Sequence, residues 1–266
     1  MSLTVEAPAT SGGGRTIQYA GLIWTLVRTD FKTRYHGTLG GFGWALLKPM
    51  SMFLVLMGVF SFLFASNPTY KLDLIVGLFL WDFFAEGTKT GLVSLETKGY
   101  LLTKARVPPW ILVVTSLANA LITLVVFTLV IEIFLLSTNR APGLEAIVAY
   151  AAYCVALIAV VVGFSLGSSV LFLRYRDLNQ VWDMALQAGF FIAPIIYPLR
   201  ILPERFHAYL YIWPPTPVIE FARSVLVAGE FPTAHGHVFL LIDAAVCLIV
   251  GMVVFWRFSP RAAEYL

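Results

Sequence analysis

The chain has 266 residues, 59% of them hydrophobic and only 12% charged, with a net charge of +3. Soluble domains carry about 25% charged residues, so this composition excludes an ordinary soluble enzyme and leaves no length for a separate soluble domain of usual size. Several apolar runs exceed the roughly 18 residues that cross a bilayer as helix, which points to an all-α integral membrane protein whose few loop cations are not a nucleic-acid surface.

Residues 1–15 are polar and end in Ser-Gly-Gly-Gly-Arg, the composition of a flexible tail without a secretory signal. Over 16–36, Ile17, Ala20, Trp24, Val27, Phe31 and Tyr35 recur at helical spacing. Arg28 and Lys32 flank that stripe, and Asp30 stands i,i+4 to Arg34. Such a helix lies in the headgroup plane or packs on the domain as a soluble helix does.

The rest, 37–266, reads as one transmembrane domain with six spans, expected at 38–65, 72–96, 110–136, 146–173, 181–199 and 236–257. The second carries Asp73, Asp82, Glu86 and Lys89, so its later half must face protein or water. With the N-terminus inside, the inner segments hold thirteen lysines and arginines and the outer ones five. The positive-inside rule then puts both termini in the cytoplasm. Six of the fourteen prolines fall within 194–217, so continuous helix is excluded there. Residues 198–230 read as short helices dipping into the outer leaflet, or as an ordinary outer loop.

Little points to catalysis. Gly87-Thr-Lys-Thr-Gly91 resembles only the tail of a phosphate-binding loop and lacks its leading glycine spacing. His235 and His237 have no third ligand of convincing spacing, and Cys154 and Cys247 sit in apolar runs as small packing residues. Asp82 and Glu86, i,i+4 on one face, form either an intramembrane proton site or partners for Lys89 or another helix. Two aromatic stripes stand out: Phe42, Phe53, Phe60 and Phe64 on one face of the first span, and Trp182, Phe190 and Tyr197 in the fifth. Aromatic planes stack on the C–H faces of sugars, but the same stripes also serve helix packing or lipid contact.

Arg28-Thr-Asp-Phe-Lys-Thr-Arg-Tyr-His-Gly-Thr-Leu-Gly-Gly-Phe-Gly-Trp-Ala-Leu-Leu-Lys-Pro49 resembles the entry signature of the permease subunits of bacterial ATP-binding-cassette polysaccharide exporters, those for O-antigen, capsular polysaccharide and teichoic acid. Leu101-Leu-Thr-Lys-Ala-Arg-Val-Pro108 is similar to the family's inner loop, with Val107 in place of the usual phenylalanine. Arg174-Tyr-Arg-Asp-Leu178, Pro194-Ile-Ile-Tyr197 and Trp213-Pro-Pro-Thr-Pro217 resemble later family segments in order.

The resemblance implies a homodimeric permease in the bacterial inner membrane, bound to two copies of a separate ATPase that holds the ATP and Mg. This chain itself would hold no cofactor or metal and would not be an enzyme. The substrate would be a lipid-linked polysaccharide passing among membrane lipids through a channel lined by Phe42, Phe53, Phe60, Trp182, Phe190 and Tyr197. Leu101, Lys104 and Arg106 would couple to the ATPase, and Trp24, Arg28, Lys32 and Arg34 would hold the interface helix at the membrane. Tyr197, Trp213, Glu220 and Arg223 would gate the outer side. A drug- or lipid-exporting relative with the same fold, and a membrane-embedded glycosyltransferase or acyltransferase, are the competing readings. An aromatic-lined conduit discriminates against the first and copurification with an ATPase against the second.

Overall fold

The computed structural model describes residues 12–37, 40–104 and 107–260, the side chains of 12–18, 103, 204 and 208 excepted. All regular structure in these residues is helical. Helix α1 spans Gly12–Tyr35, so it takes in the end of the stretch expected as tail, and α2 spans Gly43–Phe60, running through Pro49. Gly37 (φ 83°) and Gly41 (φ 49°) turn the chain between them in the left-handed region that glycine adopts without steric cost. Helix α3 spans Tyr70–Leu92, followed by the short α4 (Ser94–Thr97) and α5 (Gly99–Lys104). Helices α6 (Pro109–Ser116) and α7 (Ala118–Ser137) continue one another, and α8 covers Leu144–Arg174. Then come α9 (Leu178–Ile192), α10 (Glu204–Tyr211), α11 (Pro215–Arg223) and α12 (Ala234–Phe258).

Among the described residues, four helical stretches are long and apolar enough to cross a membrane: 43–60, 109–137, 144–174 and 234–258. The expectation of six spans is therefore corrected to four. The stretch drawn at 72–96 is a helix of 23 residues, but it carries Lys71, Asp73, Asp82, Glu86 and Lys89. The stretch drawn at 181–199 ends as helix at Ile192, and 15 residues at 1.5 Å each reach about 22 Å against a hydrocarbon core of about 30 Å.

Helix α3 tolerates its charges because it is the central helix of the body, packed by α2, α7, α8, α9 and α11. From Leu74 to Phe84 its side chains are buried apart from Asp82, which is half-buried. It carries the chain from the end where Tyr70 meets Phe64 (4.9 Å between ring centroids) and Ile196, back to the end where α1 lies. Helices α8 and α12 cross in parallel along a seam of small residues. A Cβ on Gly163 would stand 2.5 Å from the Cys247 carbonyl oxygen, and one on Gly167 would stand 3.2 Å from Gly251 Cα. Small residues let backbones approach this closely, so dispersion replaces the hydrophobic driving force that lipid withholds. Gly87-Thr-Lys-Thr-Gly91 does the same on α3: its two glycines face Val161 and Ser165 of α8. The phosphate-loop look-alike is a helix-packing seam.

Helix α1 packs on α6 and α7. Leu22, Ile23 and Leu26 meet a buried cluster containing Leu95, Ile111 and Leu173, and Tyr19 meets Trp110 edge-on at 6.5 Å. The local Asp30–Arg34 pair gives way to two long-range ones. Asp30 pairs with Lys98, whose ammonium also donates to Thr115 Oγ1 at 3.2 Å, and Arg34 pairs with Glu86. Lys98 is buried, so its charge requires that partner.

Candidate functional site

Three features are arranged around α3. The first is a polar trough. A cavity of about 270 Å3 is lined by Arg34, Tyr35, Trp44, Lys48, Asp82, Glu86 and Asn119, among others. A neighbouring one of about 410 Å3 shares Lys48, Asp82 and Glu86 and adds Lys89, Gln180, Asp183 and Gln187. Helical spacing explains the alignment: Asp82, Glu86 and Lys89 are i, i+4 and i+7 on α3, hence on one side. Lys89 pairs with Asp183 of α9 at 2.7 Å, so α9 closes one wall while Lys48 of α2 lines the other. Charged side chains at this depth must meet protein or water.

The second feature is an aromatic cluster beyond the trough. Trp81 and Phe84 of α3 stand i,i+3 and meet at 5.7 Å. Trp81 meets Phe190 at 5.9 Å and Trp213 at 6.4 Å, and Trp182 meets Trp213 at 6.1 Å and stacks on Phe164 at 4.0 Å. Trp182 Nε1 donates to Thr88 Oγ1 at 3.1 Å, which turns the indole toward α3. Gly189 is open for a reason, because a Cβ there would stand 2.5 Å from the Trp213 ring.

The third feature is the chain break after Ile192. A non-helical stretch leaves carbonyls without partners, and unmet carbonyls in an apolar setting cost several kcal/mol. Here side chains meet them. Arg223 is 7% exposed; its Nη1 donates to the Pro194 oxygen, its Nη2 to Ile195 O at 2.8 Å, and its Nε to Asp73 O at 2.7 Å. Tyr70 Oη donates to Ile196 O at 3.0 Å. Tyr197 Oη lies 3.0 and 3.1 Å from the carbonyls of Phe191 and Ile192, in the last turn of α9. Glu220 balances the guanidinium at 3.0 Å, and burial pushes its carboxyl above the usual range against the pull of Arg223. A cavity of about 240 Å3 opens beside this knot, lined by Asn67, Asp73, Tyr197, Arg200 and Glu220 among others.

Of the expected channel residues, Trp182 and Phe190 meet in the aromatic cluster together with Trp213 from the expected gate. Tyr197, Glu220 and Arg223 meet at the chain break. Phe42 packs on Phe31 (5.8 Å) and Tyr35 (5.3 Å), and Phe60 stacks on Phe64 at 6.5 Å. Phe53 is 1% exposed and meets Phe134 edge-on at 5.6 Å, so within the protomer its ring is a packing element. Trp44 is exposed at the trough's edge. Trp24, Arg28 and Lys32 are exposed on α1, and Arg34 is held by Glu86. Leu101 is half-buried against the cluster of Leu95, Ile111 and Leu173, and Lys104 is exposed; Arg106 lies outside the described residues. Trp81 and Phe84 went unnoticed in sequence because the charges of their segment dominated its reading; their i,i+3 spacing was the available signal. His237, near the start of α12, is hydrogen-bonded to Tyr153 Oη at 2.8 Å. Among the described residues no group of three His, Cys, Asp or Glu is placed to hold a metal ion.

Residues 21–227 match the model of the ABC-2 type transporter family. The chain belongs to that family. The permease is similar to the O-antigen export system permease protein RfbA of Myxococcus xanthus, 27% identical over 263 residues covering 93% of this chain and 95% of that protein. It is similar to the RfbA permease of Klebsiella pneumoniae, 24% identical over 246 residues covering 92% and 95%. It is also similar to the polysialic acid transport protein KpsM of Escherichia coli, 22% identical over 232 residues covering 85% and 89%. Membership places the chain among membrane transport subunits and removes the membrane-embedded enzyme from the readings above.

Proposed function

We propose that this permease moves a lipid-linked polysaccharide, of O-antigen or capsule type, across the bacterial inner membrane, driven by two copies of a separate ATPase that binds ATP and Mg. The observation that carries the reading is the charged trough on α3 together with the aromatic cluster packed around the same helix. A glycan presents hydroxyls and apolar C–H faces in alternation, and these surfaces offer partners for both. The relatives named above, an O-antigen export permease and a polysialic acid transport protein among them, support the same substrate class. A drug or lipid path would want a more apolar lining.

The trough is open on one side. A charged face left open at membrane depth is costly, and a second copy facing it would enclose a hydrated conduit, which supports a homodimer. Phe42, Phe60, Trp182, Phe190 and Tyr197 are the rings proposed to touch the polymer, while Phe53 supports them from within α2. Each such contact contributes about 0.5–1.5 kcal/mol by analogy with ring pairs, weak enough to release as the polymer advances. Phe190→Ala is therefore expected to slow surface display of polymer severalfold in cells lacking their own permease, with membrane level and ATPase copurification unchanged. Undiminished display in that variant sinks the aromatic path.

Helix α1 and the C-terminal end of α12 lie at the same end of the body, and that end carries Arg28, Lys32, Arg34, Lys48, Lys89, Lys98, Arg174 and Arg257. Basic residues favour the cytoplasmic side, so both termini are assigned there, with α10 and α11 outside. A cysteine at Arg200, introduced without Cys154 and Cys247, should react with a membrane-impermeant thiol reagent in intact cells, and one at Lys104 should not. The reverse pattern overturns the orientation. Lys104 then belongs to the surface that meets the ATPase, with Leu101 anchoring it to the body, and Arg106, two residues on in sequence, is proposed to act with it. Lys104→Glu together with Arg106→Glu is expected to reduce ATPase copurification or to uncouple hydrolysis from export; unchanged export removes this loop from the coupling.

A further inference from the structure

The α8–α12 seam opens, on its outer side, into a groove that no role above uses. Its floor is Gly167, Ser168 and Gly251 and its walls include Leu171, Val250 and Val254, in a cavity of about 420 Å3 bounded also by α9. It extends over α12 from Val246 to Val254, about 12 Å at 1.5 Å per residue. Its lining is almost wholly apolar, which suits a hydrocarbon chain. The stacked Phe164–Trp182 pair lies at one end.

At the other end the surface changes character. Arg174 lies three residues beyond Leu171 on α8, and Arg257 three beyond Val254 on α12, so helical spacing puts each on the groove's side one turn further out. Both arginines are exposed, and the Arg174 guanidinium sits 5.2 Å from the centroid of the Tyr175 ring. Tyr175 and Trp256 are also exposed at this level (52% and 66%), which is where aromatic residues mark the boundary between hydrocarbon and headgroups. The groove is thus an apolar slot that ends in two cations at headgroup depth.

We propose that this groove holds one acyl chain of an anionic membrane phospholipid, whose phosphate is bound by Arg174 and Arg257. The lipid fills the space that the glycines leave beside the seam and ties the ends of α8 and α12 together. The site shares only Trp182 with the proposed polymer path, and neither arginine belongs to that path.

The test uses the full chain reconstituted in nanodiscs of equal parts phosphatidylglycerol and phosphatidylcholine, then released into detergent, with retained lipid identified by native mass spectrometry. The parent protein should retain phosphatidylglycerol in preference to phosphatidylcholine. Arg174→Gln with Arg257→Gln should lower that retention about thirtyfold, as loss of two headgroup-level cations predicts. Val250→Trp, at a position more than half exposed, should fill the groove and abolish retention with an unchanged melting temperature in detergent. Equal retention of both lipids by the parent, or equal retention of phosphatidylglycerol by parent and both variants, overturns the proposal. So does a Val250→Cys chain, lacking Cys154 and Cys247, that forms a disulfide dimer in membranes, since a second copy would then occupy the groove.

Discussion

Arg223→Ala is expected to be the most damaging single substitution outside the helix seams. The guanidinium meets the carbonyls of Asp73, Pro194 and Ile195 and the Glu220 carboxylate at once. Truncation strands those carbonyls and leaves a buried carboxylate without its cation. Breaking one side of a buried ion pair costs about 3–5 kcal/mol, and each stranded carbonyl adds about 1–3, a sum comparable to the whole stability of many proteins. The expected result is loss of monodisperse protein or a large fall in detergent melting temperature. Arg223→Lys should be intermediate, because an ammonium faces Glu220 but has no planar fork for three carbonyls. Glu220→Gln added to Arg223→Ala should recover part of the loss, since the stranded charge is then gone. Parent-like melting of Arg223→Ala would show that the break after Ile192 is held by something else.

The second large effect is expected at the α8–α12 crossing. A Cβ on Gly163 would come within 2.5 Å of the Cys247 carbonyl oxygen and 2.6 Å of Leu248 Cα, and neither backbone atom can turn aside as a side chain can. Overpacking in an ordinary core costs about 1–3 kcal/mol, and a backbone clash exceeds that because the helices must separate along their length. Gly163→Val is expected to abolish accumulation of folded permease in membranes. Gly58→Ala is the matched control, because nothing stands within 4 Å of a Cβ at that position. Equal accumulation of the two variants would mean that the helices do not cross where the glycines put them.

Composition and periodicity alone carried the membrane class, the helical fold, the α1 helix and the break among the prolines near 194. Those are local consequences: apolar run length sets crossing capacity, and proline removes a donor wherever it stands. The family, too, was legible in the entry segment from Arg28 to Pro49. The number of long apolar spans was not, because α3 pairs a span's length with five charges. Whether those charges are tolerated depends on which helices surround it, and α9 is shortened by a break whose position the capping side chains set. Nor could spacing say that Asp30 takes Lys98 and Arg34 takes Glu86. An i,i+4 pair on an exposed helix is worth about 0.3–0.5 kcal/mol, and a buried ammonium that lacks a partner outweighs it. The use of Phe53 for packing, the meeting of Trp182, Phe190 and Trp213 around Trp81, and the reach of Arg223 to Pro194 and Asp73 across long stretches of chain were decided by tertiary structure alone. Each depends on the distance between segments remote in sequence, and helical phase within one segment carries no information about that distance.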